Sequence, residues 1–435
     1  MIYLRIEKKY INSMVTFMFG AGASIPFFNP RLDTNYLTSK IMDFGEWQRL
    51  FNRYTKLIES NRIVTNANDV YRLMCIITKV RKNANFEEIA EILDKICSWG
   101  FDRLPQNTFL GSIVAVLGNG SWPVPNVVDL GWSIVPFLLR QIIAESICEL
   151  QNNHKISTYD ELISLQTKFL IDASAEHDKS SIMSLNYDEC VVNSAIPAGF
   201  DTCFCKDASM NGAVLDVHRF MSSKKTIYFP HGHTRFVYAD NSNVLYFPDA
   251  NKANDERWRR IESHMKGGQL QMLPGKFAYN FNTFLTTGQT KDDAMNNVPY
   301  CYFYHRFSID VFASDIVFLI GYSFGDEHFN RTLPAFLQID SKRRVVIVDY
   351  YPEAVTRRDE FQDPNNALTK IYSCFKRDWD FYTALDGKLE PTNQAEIDKI
   401  NSLGYGYIFN QVLFYKKGYE NFLNEYLAVL EYMNY

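Results

Sequence analysis

The sequence lacks the paired cysteines from which a zinc ribbon is built. Its eight cysteines are scattered along 435 residues, no C-x-x-C motif occurs, and the closest two, Cys203 and Cys205, are separated by a single residue. A tetrahedral site assembled from sequence-local cysteine pairs is therefore excluded, and we expect no metal. Scattered thiols without a disulfide framework also indicate a reducing compartment, so we expect a cytoplasmic protein.

Long apolar runs and a strong charge imbalance are missing as well. No window of about 18 apolar residues is free of charge, so we expect no membrane span. The N-terminal apolar stretch is short and leads directly into a glycine-rich turn, which is not typical of a signal peptide. The net charge of −5 gives no indication of direct nucleic-acid binding.

A glycine-rich turn follows the first apolar run of the chain. Residues 15–19 are apolar or β-branched and lead into the sequence GAGAS, residues 20–24. The run predicts a strand that is buried on both faces. Its two glycines permit a tight turn and the close approach of a phosphate oxygen, which a helix starting directly afterwards would favour. The third glycine of G-x-G-x-x-G is missing, so an ordinary turn remains an alternative.

Four later apolar runs also read as buried strands with polar or glycine residues at their carboxyl ends. They are residues 181–185, 226–229, 315–320 and 344–348. Helical periodicity fills most of the chain between the first strand and these four, and it returns near the C-terminus. We therefore predict an α/β fold: a Rossmann-like parallel sheet in a domain of residues 12–352, a large helical insertion at about 35–178, and a helical C-terminal extension, 353–435.

Ligands of open α/β sheets bind just outside the carboxyl ends of the strands, so the polar residues there are candidates for a site. The candidates after the four later strands are Asn186, Asp188, His231, Gly321, Ser323 and Asp349. Each also has a structural interpretation, such as a turn, a helix cap or a buried structural histidine. His233 adds a second imidazole, but no third metal ligand stands at a useful spacing. The basic run 257–260 is interpreted as a solvated helix face.

The order of these motifs resembles that of a known protein family. The chain contains GAGAS, SLNYDE, PHGH, LIGYSFGDEHFN and VIVD in that order. This set resembles the sirtuin-like family of NAD-binding proteins over about residues 12–30, 180–235 and 312–352. The run GYSFGD is most similar to the bacterial branch that cleaves NAD in antiviral defence. The four-cysteine zinc module of deacylating sirtuins is missing, which argues against protein deacylation.

The resemblance implies a role for each candidate. The pyrophosphate of NAD would be bound by Gly20, Ala21, Gly22 and Ser24, with help from Arg31. Asn186 and Asp188 would lie by the nicotinamide ribose, His231 would be the catalytic histidine, and Gly321 and Ser323 would line the adenosine side. Asp349 ends its strand as the ribose-binding acid of dinucleotide folds does.

The expected reaction is hydrolysis of NAD to nicotinamide and ADP-ribose. Nicotinamide leaves as a neutral molecule from a cationic ring, so the carboxyl pair that glycosidases use is not needed. We expect His231 to activate a ribose hydroxyl or water, Asn186 to position that water, and Asp188 to orient Asn186 or the carboxamide.

Several alternatives and partners remain open from the sequence. An NAD-dependent deacylase or ADP-ribosyltransferase, and a sensor that binds NAD or ADP-ribose without cleaving it, are alternative functions. A nuclease subunit is disfavoured because no metal-binding carboxylate cluster is apparent. Members of the family that this sequence resembles act as homo-oligomers, sometimes with a hexameric HerA-type ATPase. The apolar face of the last helix could pack on its own domain or on a second copy of the chain.

Overall fold

A computed structural model describes residues 13–57, 66–99, 130–206, 211–239, 243–266, 284–287, 297–356, 366–376 and 394–433. Parts of the predicted insertion, 58–65 and 100–129, lie outside these ranges. So do parts of the predicted C-terminal extension, 357–365 and 377–393.

The described residues form eleven strands in two sheets. In chain order they are β1 Met14–Phe19, β2 Lys179–Ser184, β3 Phe204–Lys206, β4 Ala213–Leu215, β5 Lys225–Tyr228, β6 Phe236–Ala239, β7 Asn243–Tyr246, β8 Ile316–Ile320, β9 Arg344–Val348, β10 Tyr405–Phe409 and β11 Val412–Tyr415. The larger sheet has seven strands in the order β10-β11-β9-β8-β1-β2-β5, and the smaller has the order β3-β4-β7-β6. All five strands predicted from apolar runs lie in the larger sheet.

Six strands of the larger sheet are parallel, and their order determines where a ligand can bind. Counted along the chain, β5-β2-β1-β8-β9-β11 is the doubly wound order 3-2-1-4-5-6, and β10 adds an antiparallel edge. In this order the direction of winding reverses between β1 and β8, which pair directly. Ligands of such sheets usually bind at this switch point, outside the carboxyl ends of the strands. The predicted α/β fold with a Rossmann-like parallel sheet is confirmed.

The helices, in chain order, are α1 Thr34–Ile41, α2 Phe44–Leu57, α3 Ala67–Val80, α4 Phe86–Trp99, α5 Leu130–Asn153, α6 Tyr159–Ser174, α7 Cys190–Ala195, α8 Val217–Ser222, α9 Ala250–Lys266, α10 Tyr300–Ala313, α11 Glu327–Ile339, α12 Ala367–Lys376, α13 Gln394–Leu403 and α14 Tyr419–Tyr432. Helices α1 to α6 lie between β1 and β2 along the chain, in the region predicted as an insertion. None of the helices in the described ranges has the length and apolar character that a membrane crossing requires.

Helices cover both faces of the larger sheet, and β1 is therefore buried on both sides. Side chains alternate along a strand, so Phe17 and Phe19 point to one face and Thr16 to the other. Phe17 contacts Phe169 of α6, with ring centroids 5.6 Å apart, and Phe19 contacts the first residue of α14. On the opposite face the Thr16 hydroxyl lies 2.8 Å from the Ser314 hydroxyl, at the end of α10.

The C-terminal segment contributes strands as well as helices. We predicted helices alone for 353–435, but β10 and β11 form a hairpin there, and β11 pairs parallel with β9. Pairing with β9 supplies the backbone partners that a short aromatic run cannot provide for itself. The apolar face of α14 packs on its own domain, one of the two predicted outcomes, since Phe422 contacts Phe169 with centroids 5.0 Å apart.

The basic run at 257–260 is not a uniformly solvated helix face, contrary to our interpretation. Arg257 of α9 is buried and donates hydrogen bonds to the Gln141 side chain and to the carbonyl oxygens of Thr234 and Phe236. Burial lowers the pKa of its guanidinium to about 10. The helix therefore uses this arginine to hold the chain that follows β5.

Candidate active site at the switch point of the sheet

A cavity of about 350 Å³ opens at the switch point, beyond the carboxyl ends of β1, β2, β5 and β8. Residues that follow these strands form its floor: Gly20, Ala21, Ser24, Leu185, Asn186, Tyr187, Asp188, His231, Tyr322, Ser323, Gly325 and Asp326. The remaining walls come from helices and the segments before them, and include Asp33, Leu37, Phe86, Glu87, Ile147 and Lys370. The strand ends and the surrounding helices therefore enclose one common space.

The glycines after β1 are required by a neighbouring loop. The Gly20 N–H donates to the Ile320 carbonyl at 2.9 Å, and the Gly22 N–H donates to the Gly321 carbonyl at 3.0 Å. A Cβ atom on Gly22 would lie 2.8 Å from the Gly321 Cα atom, which is closer than real Cβ contacts. The turn continues as two short 3₁₀ turns, Ala21–Ala23 and Ile25–Phe27, so no regular helix begins directly after it. The helix-dipole contribution that we considered is therefore missing at this turn.

Three polar side chains form a chain of hydrogen bonds beside the cavity, which we call the relay. The Asn186 Nδ2 group donates to Ser24 Oγ at 2.8 Å, and the Ser24 hydroxyl donates to Asp188 Oδ2 at 2.5 Å. Asp188 Oδ1 accepts the Cys190 N–H, and burial raises the pKa of the Asp188 carboxyl above its ordinary value. Asp188 thus orients Asn186 through Ser24, so the Ser24 hydroxyl that we assigned to pyrophosphate is already engaged.

The relay leaves the amide oxygen of Asn186 pointing away from it. Because the single Ser24 proton goes to Asp188, Ser24 Oγ must accept from the amide nitrogen, which determines the orientation of the amide. Asn186 Oδ1 is buried and has no hydrogen-bond partner among the described residues. A buried acceptor without a partner costs about 1–3 kcal/mol, so a ligand group that donates to it gains that free energy.

His231 faces the same cavity from the end of β5. Its Nε2 atom lies 2.9 Å from Oδ2 of Asp326, and both side chains are less than a tenth exposed. Asp326 immediately precedes the helix after β8, a position that is typical of a capping residue. The structure instead pairs its carboxyl with the histidine, 95 positions away in the sequence.

Backbone contacts hold the loop that carries His231. The Thr286 N–H donates to the His231 carbonyl at 2.8 Å, and the His233 N–H donates to the Phe284 carbonyl at 3.1 Å. The neighbouring Leu285 carbonyl accepts a hydrogen bond from Arg140 of α5, at 2.9 Å. Helix α5 therefore helps to position the candidate catalytic histidine.

His233 has a structural role. Its Nε2 atom donates to the Asp188 carbonyl at 2.9 Å, and its Nδ1 atom accepts the Arg235 N–H at 3.2 Å. Burial lowers the pKa of this imidazole to about 3, which keeps it neutral. Both ring nitrogens are engaged with the backbone, so this side chain offers no lone pair to a metal ion.

The charges that line the cavity are mostly negative. The described lining carries the carboxyl groups of Asp33, Glu87, Asp188 and Asp326, and one lysine, Lys370 of α12. Carboxylates attract a cationic group, and a lysine attracts an anionic one. The cavity therefore suits a ligand that has a positively charged end and a negatively charged part.

The structure brings together seven of the eleven predicted site residues. Those that line the cavity are Gly20, Ala21, Ser24, Asn186, Asp188, His231 and Ser323. Gly22, Arg31, Gly321 and Asp349 are not among its described lining: Arg31 is exposed, and Gly22 and Gly321 contact each other behind the turn. Asp326, Glu87 and Lys370 were missed. Of these, only Asp326 stood within a motif that we singled out, GYSFGD.

The Asp349 side chain binds the backbone directly after β9, and Asp349 is not among the described residues that line the cavity. Its Oδ1 atom accepts the Tyr350 N–H at 2.8 Å, and its carbonyl accepts the Gly418 N–H at 2.9 Å. Burial raises the pKa of the Asp349 carboxyl to about 6, although Lys370 opposes the shift.

The variant Asp349→Asn is expected to stabilise the protein at neutral pH by about 3 kcal/mol, with little effect below about pH 4. The pKa is higher in the folded state, so the folded state binds more protons between about pH 4 and pH 6 and wild-type stability falls as pH rises. Asparagine does not ionise, and its Oδ1 can still accept the Tyr350 N–H. Urea unfolding of both proteins at about pH 4 and about pH 8 measures the difference. A difference that does not change with pH would contradict this account.

No known protein-family model matches this sequence, and comparison with curated proteins also yields no match.

Proposed function

We propose that this protein hydrolyses NAD⁺ to nicotinamide and ADP-ribose. The observation that carries the proposal is the meeting of Asn186 and His231 in one cavity at the switch point, with the amide oxygen of Asn186 buried and unpartnered among the described residues. An acceptor and an imidazole at the same place can hold a water molecule or ribose hydroxyl and remove its proton. The order of the sequence motifs around them supports NAD as the substrate.

The charges of the cavity support one orientation of the substrate. The nicotinamide ring of NAD⁺ is cationic, and it would lie towards the buried carboxyl of Asp188. The pyrophosphate is anionic, and it would lie by Ala21 and Ser323, which are exposed, while Lys370 supplies the one lysine of the described lining. A charged ligand gains most when its charges are complementary to those of the site.

In the proposed reaction, water attacks C1′ of the nicotinamide ribose as the bond from C1′ to the ring nitrogen breaks. The electron pair of that bond neutralises the pyridinium nitrogen, so nicotinamide leaves uncharged. The attacking water loses one proton to His231, directly or through a ribose hydroxyl, and this proton is released to solvent afterwards. Asn186 Oδ1 accepts a hydrogen bond from the water and orients its lone pair towards C1′. The negative lining stabilises the oxocarbenium-like charge on the ribose.

We expect Asn186→Ala and His231→Ala each to lower the rate of nicotinamide release at least about 100-fold. His218→Ala is the matched control, because His218 is exposed on α8, away from the cavity lining, and its loss is expected to leave the rate unchanged. Chromatography of nicotinamide and ADP-ribose measures the rate, and circular dichroism verifies that each variant is folded. Wild-type rates in both cavity variants would refute the assignment.

Combined with calorimetry and product analysis, the same assay distinguishes hydrolysis from the alternatives. Tight NAD binding by calorimetry without nicotinamide release would favour a sensor. Nicotinamide release accompanied by O-acyl-ADP-ribose or by a modified protein would favour a deacylase or an ADP-ribosyltransferase.

We further propose that hydrolysis is gated by self-assembly or by a partner such as a hexameric HerA-type ATPase, as an effector of antiviral defence. Leu37 of α1, Phe86 of α4 and Ile147 of α5 line the cavity, so a contact that shifts the inserted helices would also change the site. The nicotinamide assay is therefore run over a series of protein concentrations, with and without such an ATPase. Specific activity that is the same under all these conditions would remove the gating proposal.

A further inference from the structure

Asp326 stands where a helix cap is expected, but its side chain does not cap the helix. It immediately precedes α11, and residues at this position normally accept a hydrogen bond from the second or third backbone N–H of the helix. The Asp326 side chain makes no such bond. Its Oδ2 atom instead lies 2.9 Å from Nε2 of His231, so the carboxyl binds the histidine and not the helix.

The loop that carries Asp326 is held in place from behind. The Tyr322 hydroxyl lies 3.0 Å from the Asp326 carbonyl oxygen and 2.8 Å from Asn330 Oδ1. The Asn330 amide nitrogen in turn donates to the Phe324 carbonyl at 2.8 Å. The side chains of His231 and Asp326 are 7% and 8% exposed, so solvent screens their interaction weakly. The carboxyl therefore meets the imidazole in a defined geometry.

We propose that Asp326 is a positioning residue that sets the tautomer and the orientation of His231 for the hydrolysis proposed above. A carboxylate accepts hydrogen bonds but does not donate them, so it selects the imidazole tautomer that carries its proton on Nε2. The lone pair of that tautomer is on Nδ1, which is then the nitrogen that takes the proton. The same carboxylate stabilises the imidazolium that forms when His231 is protonated.

This arrangement also connects two strand ends that the sheet keeps apart. His231 follows β5 at one edge, whereas Asp326 follows β8, on the far side of β1 and β2. The hydrogen bond between them spans the carboxyl ends of both intervening strands, where Ser24 and Asn186 lie. Asp326 acts through His231 in this proposal, and the relay of Asn186, Ser24 and Asp188 acts on the amide separately.

Two variants of Asp326 test the proposal in the full-length protein. Asp326→Asn is expected to lower kcat for nicotinamide release about 10- to 100-fold while KM for NAD changes less than about threefold, because the imidazole loses its tautomer preference. Asp326→Glu retains the carboxylate and is expected to recover part of kcat. Glu327→Gln is the matched control, since the neighbouring Glu327 carboxylate is exposed and pairs with Arg331 on the helix surface. A wild-type kcat in Asp326→Asn would overturn the proposal.

A readout that needs no activity separates this proposal from the proposed function. In protein with ¹⁵N-labelled histidine, the His231 signals, assigned by their loss in His231→Ala, are expected to show the Nε2–H tautomer. Asp326→Asn is expected to abolish that preference, and Glu327→Gln to preserve it. If the wild type releases no nicotinamide but shows this pattern, the proposed function fails while the pairing stands. If the tautomer is the same in the wild type and Asp326→Asn, the positioning role is refuted even in an active enzyme.

Discussion

Replacing Arg140 with methionine is expected to lower the free energy of unfolding by about 3–5 kcal/mol. The Arg140 side chain is fully buried, and its two terminal nitrogens donate to both carboxyl oxygens of Asp94, at 3.0 and 2.6 Å. Methionine fills a similar volume but leaves the Asp94 carboxylate buried without its counter-charge. Total stabilities of about 5–15 kcal/mol make this a large fraction.

The same substitution is expected to disturb the position of His231 in the cavity. Arg140 Nε donates to the carbonyl of Leu285, and the next residue, Thr286, holds the His231 carbonyl. Losing the guanidinium releases the segment to which the His231 loop is attached. We therefore expect nicotinamide release by the folded fraction of Arg140→Met to fall as well, because a small displacement of a catalytic group has a large effect on rate.

A double variant provides the control for the charge. Asp94→Leu combined with Arg140→Met removes both members of the ion pair, and it is expected to regain much of the lost stability because no isolated charge remains buried. The hydrogen bond to Leu285 is still missing, so activity is expected to stay low. Urea unfolding of the wild type, the single variant and the double variant measures these differences. A cost below about 1 kcal/mol for Arg140→Met would contradict the assigned role.

Gly321→Ala is expected to destabilise the protein by about 2–5 kcal/mol and to weaken NAD binding. Gly321 has a φ of +60°, and a Cβ atom there would lie 2.2 Å from the Ala23 backbone nitrogen. The backbone cannot yield as a flexible side chain would, so the loops after β1 and β8 must move apart. Those two loops form part of the floor of the cavity, and their separation disrupts the site.

Gly325→Ala is the matched control on the same loop. The nearest atom to its added Cβ is Ser323 Oγ at 3.5 Å, an ordinary contact, and Gly325 has no positive φ. We expect its free energy of unfolding to change by less than about 0.5 kcal/mol. Urea unfolding and NAD calorimetry on both variants test the comparison. Equal effects of the two substitutions would show that close packing of the two loops is not what requires glycine at 321.

The strands of the larger sheet that precede residue 350 were predictable because their signals are local. A strand covered on both faces is an almost continuous apolar run, and β9 was predicted with the bounds that it has in the structure. Turn and polar residues after these runs indicated which side chains would meet. Asn186, Asp188 and His231 were found in this way without any knowledge of strand order.

The hairpin of β10 and β11 was missed because its strands depend on a distant partner. Their sequences, YGYIF and VLFY, are short and aromatic, and such runs are compatible with either a helix or a strand. The parallel ladder between β11 and β9 decides the matter, and it joins residues more than 60 positions apart. Arg257 was misread for the same reason, since its acceptors lie on another segment of the chain.

The sequence by itself determined the class of fold, the four strands that hold the site and most of the side chains at their ends. Local composition carries this information, because burial of an apolar run and the need for a turn are properties of adjacent residues. The tertiary structure alone decided that Asp326 pairs with His231, that Ser24 links Asn186 to Asp188, and that α5 supports the loop of the histidine. These are single hydrogen bonds between residues 95 to 164 positions apart. A hydrogen bond of this kind leaves no periodic pattern in the chain, and only the packed structure specifies its partner.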